Sequence, residues 1–142
     1  MVRYHHFLIA RLWMPEYGDP DVAEEFGWLH AYSPYHRVVD DVRYPSVLLT
    51  TADHDSRVDP MHARKMAARL QRATGEAAGK ETDRPILLRI ETKAGHGQGK
   101  PVDKQADELA DVLAFLNWQL GVETRSTSGA LPLWRPGDFS VG

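Results

Sequence analysis

Ser46-Val47-Leu48-Leu49-Thr50-Thr51, running straight into Ala52-Asp53-His54-Asp55-Ser56-Arg57, is the stretch that decides the fold. Six mostly apolar or β-branched residues bounded by turn residues predict a strand buried on both faces. The acidic turn after it is followed by a helical pattern from about Pro60 to Ala73, with Ala63, Met66, Ala67 and Leu70 at helical spacing. The same sentence of structure is then repeated. Pro85-Ile86-Leu87-Leu88-Arg89-Ile90-Glu91-Thr92 predicts a second strand, ending in the glycine-flanked turn Lys93-Ala94-Gly95-His96-Gly97-Gln98-Gly99.

Working outward, a long helix is expected from near Pro101, since proline suits a first helical turn. Val102, Ala106, Leu109, Leu113, Leu116 and Leu120 recur every three or four residues and predict one buried stripe, with Gly121 as the C-terminal cap. Thr74 to Arg84 reads as a connecting loop. On the N-terminal side, Asp21 to Tyr32 predicts a helix with Asp21 as its cap and Val22, Phe26 and Leu29 on one face. Ser33-Pro34 ends it, because a residue before proline is driven out of the helical region.

The order helix, strand, helix, strand, helix, with connections long enough for parallel crossovers, makes an α/β fold. Residues 1–121 are expected to form the folded part, and 122–142, with Thr124 to Gly129 small and polar and Pro132, Pro136 and Gly137 beyond, a flexible tail. Both polar turns follow the C-terminal ends of strands, the edge where open α/β sheets carry their chemistry.

The bulk composition excludes several classes. The 142 residues are 42% apolar and 26% charged with a formal net charge of -3, so neither nucleic acid nor an anionic membrane is an expected partner. No apolar run approaches the ~18 residues of a membrane span. The absence of cysteine removes disulfides, thiolate catalysis and cysteine-based zinc sites. It is compatible with a reducing compartment; without a signal-peptide pattern, the expectation is a cytoplasmic protein with no cofactor.

Asp55 and His96, 41 residues apart, are the candidate reactive pair. A histidine that relays protons needs a carboxylate to fix its tautomer and stabilise its charged form. Acid before histidine is also the chain order of hydrolases built on such sheets. Asp and His are common loop residues as well, and on spacing alone that plain account stands beside the reactive one. His54 between Asp53 and Asp55 invites a metal, but consecutive residues on a tight turn rarely converge on one ion, so no metal is expected. His5 and His6 are adjacent and are expected to point apart; His30, His36 and His62 have no partner at ligand spacing.

Tyr44 to Val58, with Thr51-Ala52-Asp53-His54-Asp55-Ser56-Arg57-Val58 at its centre, resembles the acid-loop signature of the prolyl oligopeptidase family of serine peptidases. Lys93 to Pro101 is similar to that family's histidine loop. The likeness runs over about residues 3 to 121. It implies the C-terminal portion of an α/β-hydrolase catalytic domain, with Asp55 as the acid and His96 as the base of a triad. It also implies Arg57 as a ligand of a substrate carbonyl, for which a salt bridge to Asp53 or Asp59 is the structural alternative. Leu12-Trp13-Met14-Pro15-Glu16-Tyr17-Gly18 is similar to the segment whose tryptophan and tyrosine shape the family's proline pocket. Without the resemblance, Trp13 and Tyr17 read as core aromatics.

The resemblance implies hydrolysis of peptides after proline, yet no serine lies in a Gly-x-Ser-x-Gly elbow. Ser33 precedes proline, Ser46 opens a strand, Ser56 sits in the acid turn, and Ser126, Ser128 and Ser140 are in the tail. The expectation is a chain inactive alone, whose partners are the missing N-terminal half or another subunit and, in a complete enzyme, a peptide substrate. A start at Met1 inside what resembles a catalytic domain fits truncation, an internal start or a split gene. Two alternatives are a non-catalytic interaction module that binds through its uncovered sheet edge, and part of another peptidase or esterase of the same superfamily.

Overall fold

The computed structural model describes residues 1–75, 83–92, 95–96 and 100–122. Its centre is a two-stranded parallel sheet, β1 (Val47–Ala52) and β2 (Ile86–Glu91), in register from Val47 opposite Ile86 to Ala52 opposite Glu91. Parallel strands need a long crossover, and α4 (Met61–Gly75) lies between them in sequence and packs against both. Its apolar side meets the sheet in a small core of Val38, Leu70, Ala73 and Ile86, with Tyr44, Val47, Leu49 and Met66 against it. The helix–strand alternation expected from the sequence is therefore present, with boundaries shifted by a residue or two.

The N-terminal third is more finely divided than its sequence indicates. Two 3₁₀ stretches, Tyr4–His6 and Leu8–Trp13, precede α1 (Met14–Tyr17), α2 (Ala23–Tyr32) and α3 (Pro34–Arg37). All but α3 contribute to a second core of Tyr4, Ala10 and the fully buried Leu29, with Trp13 and Met14 against it, while α3 packs against α4. Gly18 sits at φ 107°, where a Cβ would also come within 3.2 Å of Glu25 Oε2, so glycine is required there. Ser33, extended at ψ 111° before Pro34, ends α2 as expected.

Asp21 is not the cap of α2. The helix starts at Ala23 with Val22 at the cap position and no side-chain capping bond. The Asp21 N–H donates to Asp19 Oδ1 at 2.9 Å, and its carboxylate turns instead to His5. Only Leu29 of the three expected core residues is buried, while Val22 and Phe26 are exposed.

α5 (Val102–Leu120) has the expected length and cap: Gly121 adopts the left-handed conformation at φ 64°, and Val122 N–H donates back to Asn117 O at 2.9 Å. Its rotation, however, differs from the expectation. No residue of α5 is buried, and Val102, Leu109, Leu113, Leu116 and Leu120 are exposed. The half-covered stripe is Lys104, Glu108, Val112, Phe115 and Gln119. Polar ties hold this side of α5 to the sheet: Ser46 Oγ to Gln119, Lys104 Nζ to Glu91 Oε1 at 3.2 Å and, beside the stripe, Arg89 Nε to the exposed Asp111 Oδ2 at 2.6 Å. The strands are likewise mostly half-buried, with Ala52 and Ile86 their buried members. The sheet has just two strands among the described residues, so each keeps an open edge. No helix among the described residues is long and apolar enough to cross a membrane. Residues 123–142, expected above to be a tail, lie outside the described residues.

Candidate active site

Parallel pairing brings the two strand ends level, and the turns that follow carry the pair. The Asp53 N–H extends the ladder by one bond, to Glu91 O at 3.0 Å. A Cβ on Gly95 would lie 3.8 Å from His54 O, so the two turns touch. His96 Nδ1 stands 2.7 Å from Asp55 Oδ2. The other carboxylate oxygen, Oδ1, accepts the backbone N–H groups of Arg57 at 2.8 Å and Val58 at 2.9 Å. Asp55 is thus held at both oxygens, one by its own turn and one by the neighbouring strand's histidine.

Burial works against the charge on Asp55, but the Val58 N–H, the His96 ring and the Arg57 N–H outweigh it and hold the carboxyl below its usual range. An ionised carboxylate only accepts, so His96 donates through Nδ1–H, which in a neutral ring leaves the lone pair on Nε2. That is the tautomer a general base requires. The acid is sheltered, at 11% side-chain exposure, whereas the imidazole at 37% is reachable. Among the described residues, no hydrogen bond occupies Nε2.

Arg57 lies on the same turn, exposed, and its guanidinium forms no ion pair or hydrogen bond among the described residues. The expected alternative of a salt bridge to Asp59 is therefore not realised. Trp13 and Tyr17 gather elsewhere. Trp13 is half-buried against the Tyr4–Ala10–Leu29 cluster, and the Tyr17 ring meets Tyr4 edge-on at 6.1 Å. The Tyr4 hydroxyl donates to Gly18 O at 2.8 Å, fixing the bend after Tyr17. No hydrogen bond, ion pair or ring contact among the described residues joins Trp13 or Tyr17 to Asp55, Arg57 or His96. Of the histidine turn's neighbours, Lys93, Ala94 and residues 97–99 lie outside the described residues.

His5 and His6 do not point apart. On a 3₁₀ turn their rings lie 3.8 Å apart, and His5 Nε2 is 3.3 Å from Asp21 Oδ2. These three are the one group of three or more histidine or carboxylate side chains among the described residues whose ligand atoms all lie within 4.8 Å of one another. Ligation through His5 Nε2 would place the proton on Nδ1, which is buried and has no acceptor. The Asp21 contact therefore serves to tie the first turn to the chain before α2. His54 pairs with Asp53 at 2.8 Å.

Two of the serines that lie outside any elbow are engaged elsewhere. Ser33 Oγ is 2.8 Å from His36 Nδ1, a pairing that spacing could have flagged, but Ser33 is fully buried. Ser46 is engaged with Gln119. A cavity of about 130 Å³ is lined by Tyr4, Phe7, Tyr35, His36 and His62 among others, and none of Ser33, Ser46, Asp55 and His96 borders it.

Sequence reasoning missed the charges beneath the histidine turn. Glu91, at 11% exposure, meets Arg89 Nη1 at 3.0 Å, Lys104 at 3.2 Å and Lys100 at 3.6 Å. The available signal was the spacing of Lys104 and Glu108, four residues apart and so on one face of α5, with Lys100 just ahead of that helix.

Parallel strands with flanking helices, and an acid and a histidine at adjacent strand ends, define a portion of an α/β-hydrolase catalytic domain. Comparison with known proteins gives the family. The model of the prolyl oligopeptidase family matches residues 1–123, and the chain belongs to that family. It is 40% identical over 124 residues to prolyl endopeptidase of Dictyostelium discoideum, covering 87% of this chain and 16% of the relative. It is 38% identical over 122 residues to prolyl oligopeptidase A of Galerina marginata, covering 86% and 16%. Among solved structures, one from a study of two prolyl endopeptidases superposes with a TM-score of 0.78 at 50% identity, over 87% of this chain and 17% of that one. The chain spans 15% to 17% of the length of the curated relatives it matches.

Proposed function

We propose that this chain is the acid-and-histidine part of a serine peptidase site that hydrolyses peptide bonds after proline. The observation that carries the reading is the 2.7 Å contact between His96 Nδ1 and an Asp55 carboxylate whose other oxygen is fixed by two backbone N–H groups. Asp55 orients His96 and stabilises its charged form. His96 Nε2 takes the proton of a serine hydroxyl as its oxygen bonds to the scissile carbonyl carbon. The imidazolium then returns that proton to the leaving amine, and water repeats the cycle to free the acid product. Arg57, with an unengaged planar fork of donors, binds a substrate carbonyl. Trp13 and Tyr17 offer flat faces to a proline ring, a contact of large area and small entropic cost.

The serine itself comes from outside these 142 residues, which contain no Gly-x-Ser-x-Gly elbow. Loss of the serine from a triad lowers turnover by about a millionfold, so the chain by itself is inert and a complementing polypeptide supplies the nucleophile. The test is to mix the chain with a polypeptide carrying the rest of a catalytic domain and follow cleavage of a proline-containing peptide. Hydrolysis in the mixture alone is expected. A folded, associated mixture without turnover after proline would end the reading.

A second reading rests on α5. Its stripe of Val102, Leu109, Leu113, Leu116 and Leu120 is exposed among the described residues, as suits a non-catalytic module that binds another subunit. In that case Asp55→Asn leaves the association and whatever it controls unchanged.

A further inference from the structure

Six charged side chains gather where β2 ends and α5 begins. Arg89, Lys100 and Lys104 face Glu91, Glu108 and Asp111, three of each sign. Lys100, at 9% side-chain exposure, and Glu91, at 11%, are the most sheltered. Charges withdrawn this far from water need a structural return, because desolvation offsets much of their attraction.

Their placement shows what is held. Glu91 stands five residues before His96, and Lys100 four residues after it. Lys104 Nζ donates both to Glu91 Oε1 and to the Thr92 carbonyl, so it grips the chain as it leaves the strand. On the far side, Lys100 Nζ reaches Glu108 Oε2 at 2.6 Å and Glu91 Oε2 at 3.6 Å, and Gln105 Nε2 donates to Lys100 O at 2.7 Å. Glu91 O also accepts the Asp53 N–H, which ties the acid turn to the same residue. One glutamate is therefore common to both ends of the segment bearing His96 and to the turn bearing Asp55.

We propose that Glu91 and Lys100 are positioning residues, a clasp that closes the two ends of the His96 segment on each other and so presents Nδ1 to Asp55. The physical reason is tolerance. A proton-relaying pair works only within a few tenths of an ångström, and an imidazole on a turn reaches that precision only when its supports are fixed. The clasp gives the turn that support through α5, which is otherwise joined to the sheet mainly by polar ties.

The proposal rests on Asp55 and His96 being one site, and its test separates the two ideas. The imidazole nitrogens of His96 are observed by NMR in the full 142-residue chain at neutral pH. Unsubstituted chain is expected to show the Nδ1–H tautomer with a downfield Nδ1 proton, which disappears in Asp55→Asn. Lys100→Met and Glu91→Gln should lose that downfield proton and mix the two tautomers while the amide spectrum of α4 stays folded. Lys100→Arg, which keeps the charge, should restore it. Asp111→Asn, which breaks only the outer pair with Arg89, should leave it in place.

A folded Lys100→Met chain that keeps the Nδ1–H signal overturns the clasp. An unsubstituted chain lacking the signal overturns the underlying acid–histidine pair instead. Where Lys100→Met does not fold, Glu91→Gln carries the test, because it removes the charge that faces Lys100 and Lys104 at nearly unchanged size; retention of the signal there also overturns the proposal.

Discussion

The strand-end region and the N-terminal aromatic region of this chain are held by different forces. Asp55 and His96 are fixed by hydrogen bonds to both carboxylate oxygens, over an ionic network centred on Glu91. Trp13 and Tyr17 are held by packing and edge-on ring contact around Tyr4, Ala10 and Leu29. The difference suits the role proposed above for each region. Moving a proton demands direction, which hydrogen bonds supply. Receiving an apolar ring demands area and shape, which close packing supplies. Phe7 against His62, edge-on at 5.4 Å, is one of the bridges between them.

Damage to one region should therefore leave the other intact, and four experiments probe that independence. The largest effect is expected from Asp55→Asn in a complemented, hydrolysing mixture: a fall in kcat of about 10⁴-fold, as when a triad aspartate can no longer hold the required tautomer. Tryptophan and tyrosine fluorescence of the N-terminal region should not change. Equal loss of structure in both regions would show that they are one unit.

Next in size is Leu29→Ala. Leu29 is fully buried, so the truncation should destabilise its cluster by about 2–5 kcal/mol, read from urea unfolding followed by aromatic fluorescence. The His96 imidazole signal should persist at urea concentrations where that fluorescence has already changed. Coincident transitions would remove the distinction drawn here.

A smaller effect belongs to Trp13. In the complemented mixture, Trp13→Ala should raise KM for a proline-containing peptide by about tenfold, on the scale of ~1.5 kcal/mol for an aromatic face. It should leave the acid limb of the kcat profile where it was. A shift of that limb would mean Trp13 acts on the histidine pair rather than on substrate.

The smallest expected effect is that of pH on stability. The Asp55 carboxyl titrates below its ordinary value in the folded chain, so its stabilising contribution is complete above about pH 5, where the unfolded group is also ionised. As pH falls through the folded value, both states become protonated and the contribution is lost. The difference in unfolding free energy between unsubstituted chain and Asp55→Asn should be flat above about pH 5 and shrink below about pH 4. A difference that grew on acidification would reverse the sign of the argument.

Much of this molecule was legible in one dimension. Ser46 to Thr51 and Pro85 to Thr92 announced strands because side chains alternate and β-branched residues suit a pleated backbone. Gly121 announced a helix end because its backbone tolerates positive φ. Asp55 and His96 stood out because polar turns at strand ends are where such sheets carry chemistry. The helix cap was less legible: Asp21 had the right chemistry for one, but His5, sixteen residues earlier in the chain, offered its carboxylate another partner. The pairing of His5 with His6 was hidden because a 3₁₀ turn leaves no strong periodic trace in three residues.

The amino-acid sequence by itself determined where elements begin and end, which residue types stand at the strand ends, and that no serine elbow lies among the 142 residues. Those are local properties, set by backbone geometry and side-chain chemistry within a few residues. Only the tertiary structure decided which face of α5 meets the sheet. Two stripes run along that helix, and the leucine stripe is the more apolar, yet the stripe of Lys104, Glu108, Val112, Phe115 and Gln119 faces inward. The rotation of a helix about its axis is chosen by its neighbour. Here Ser46 and Glu91 present hydrogen-bonding and charged groups that Gln119 and Lys104 of the polar stripe satisfy.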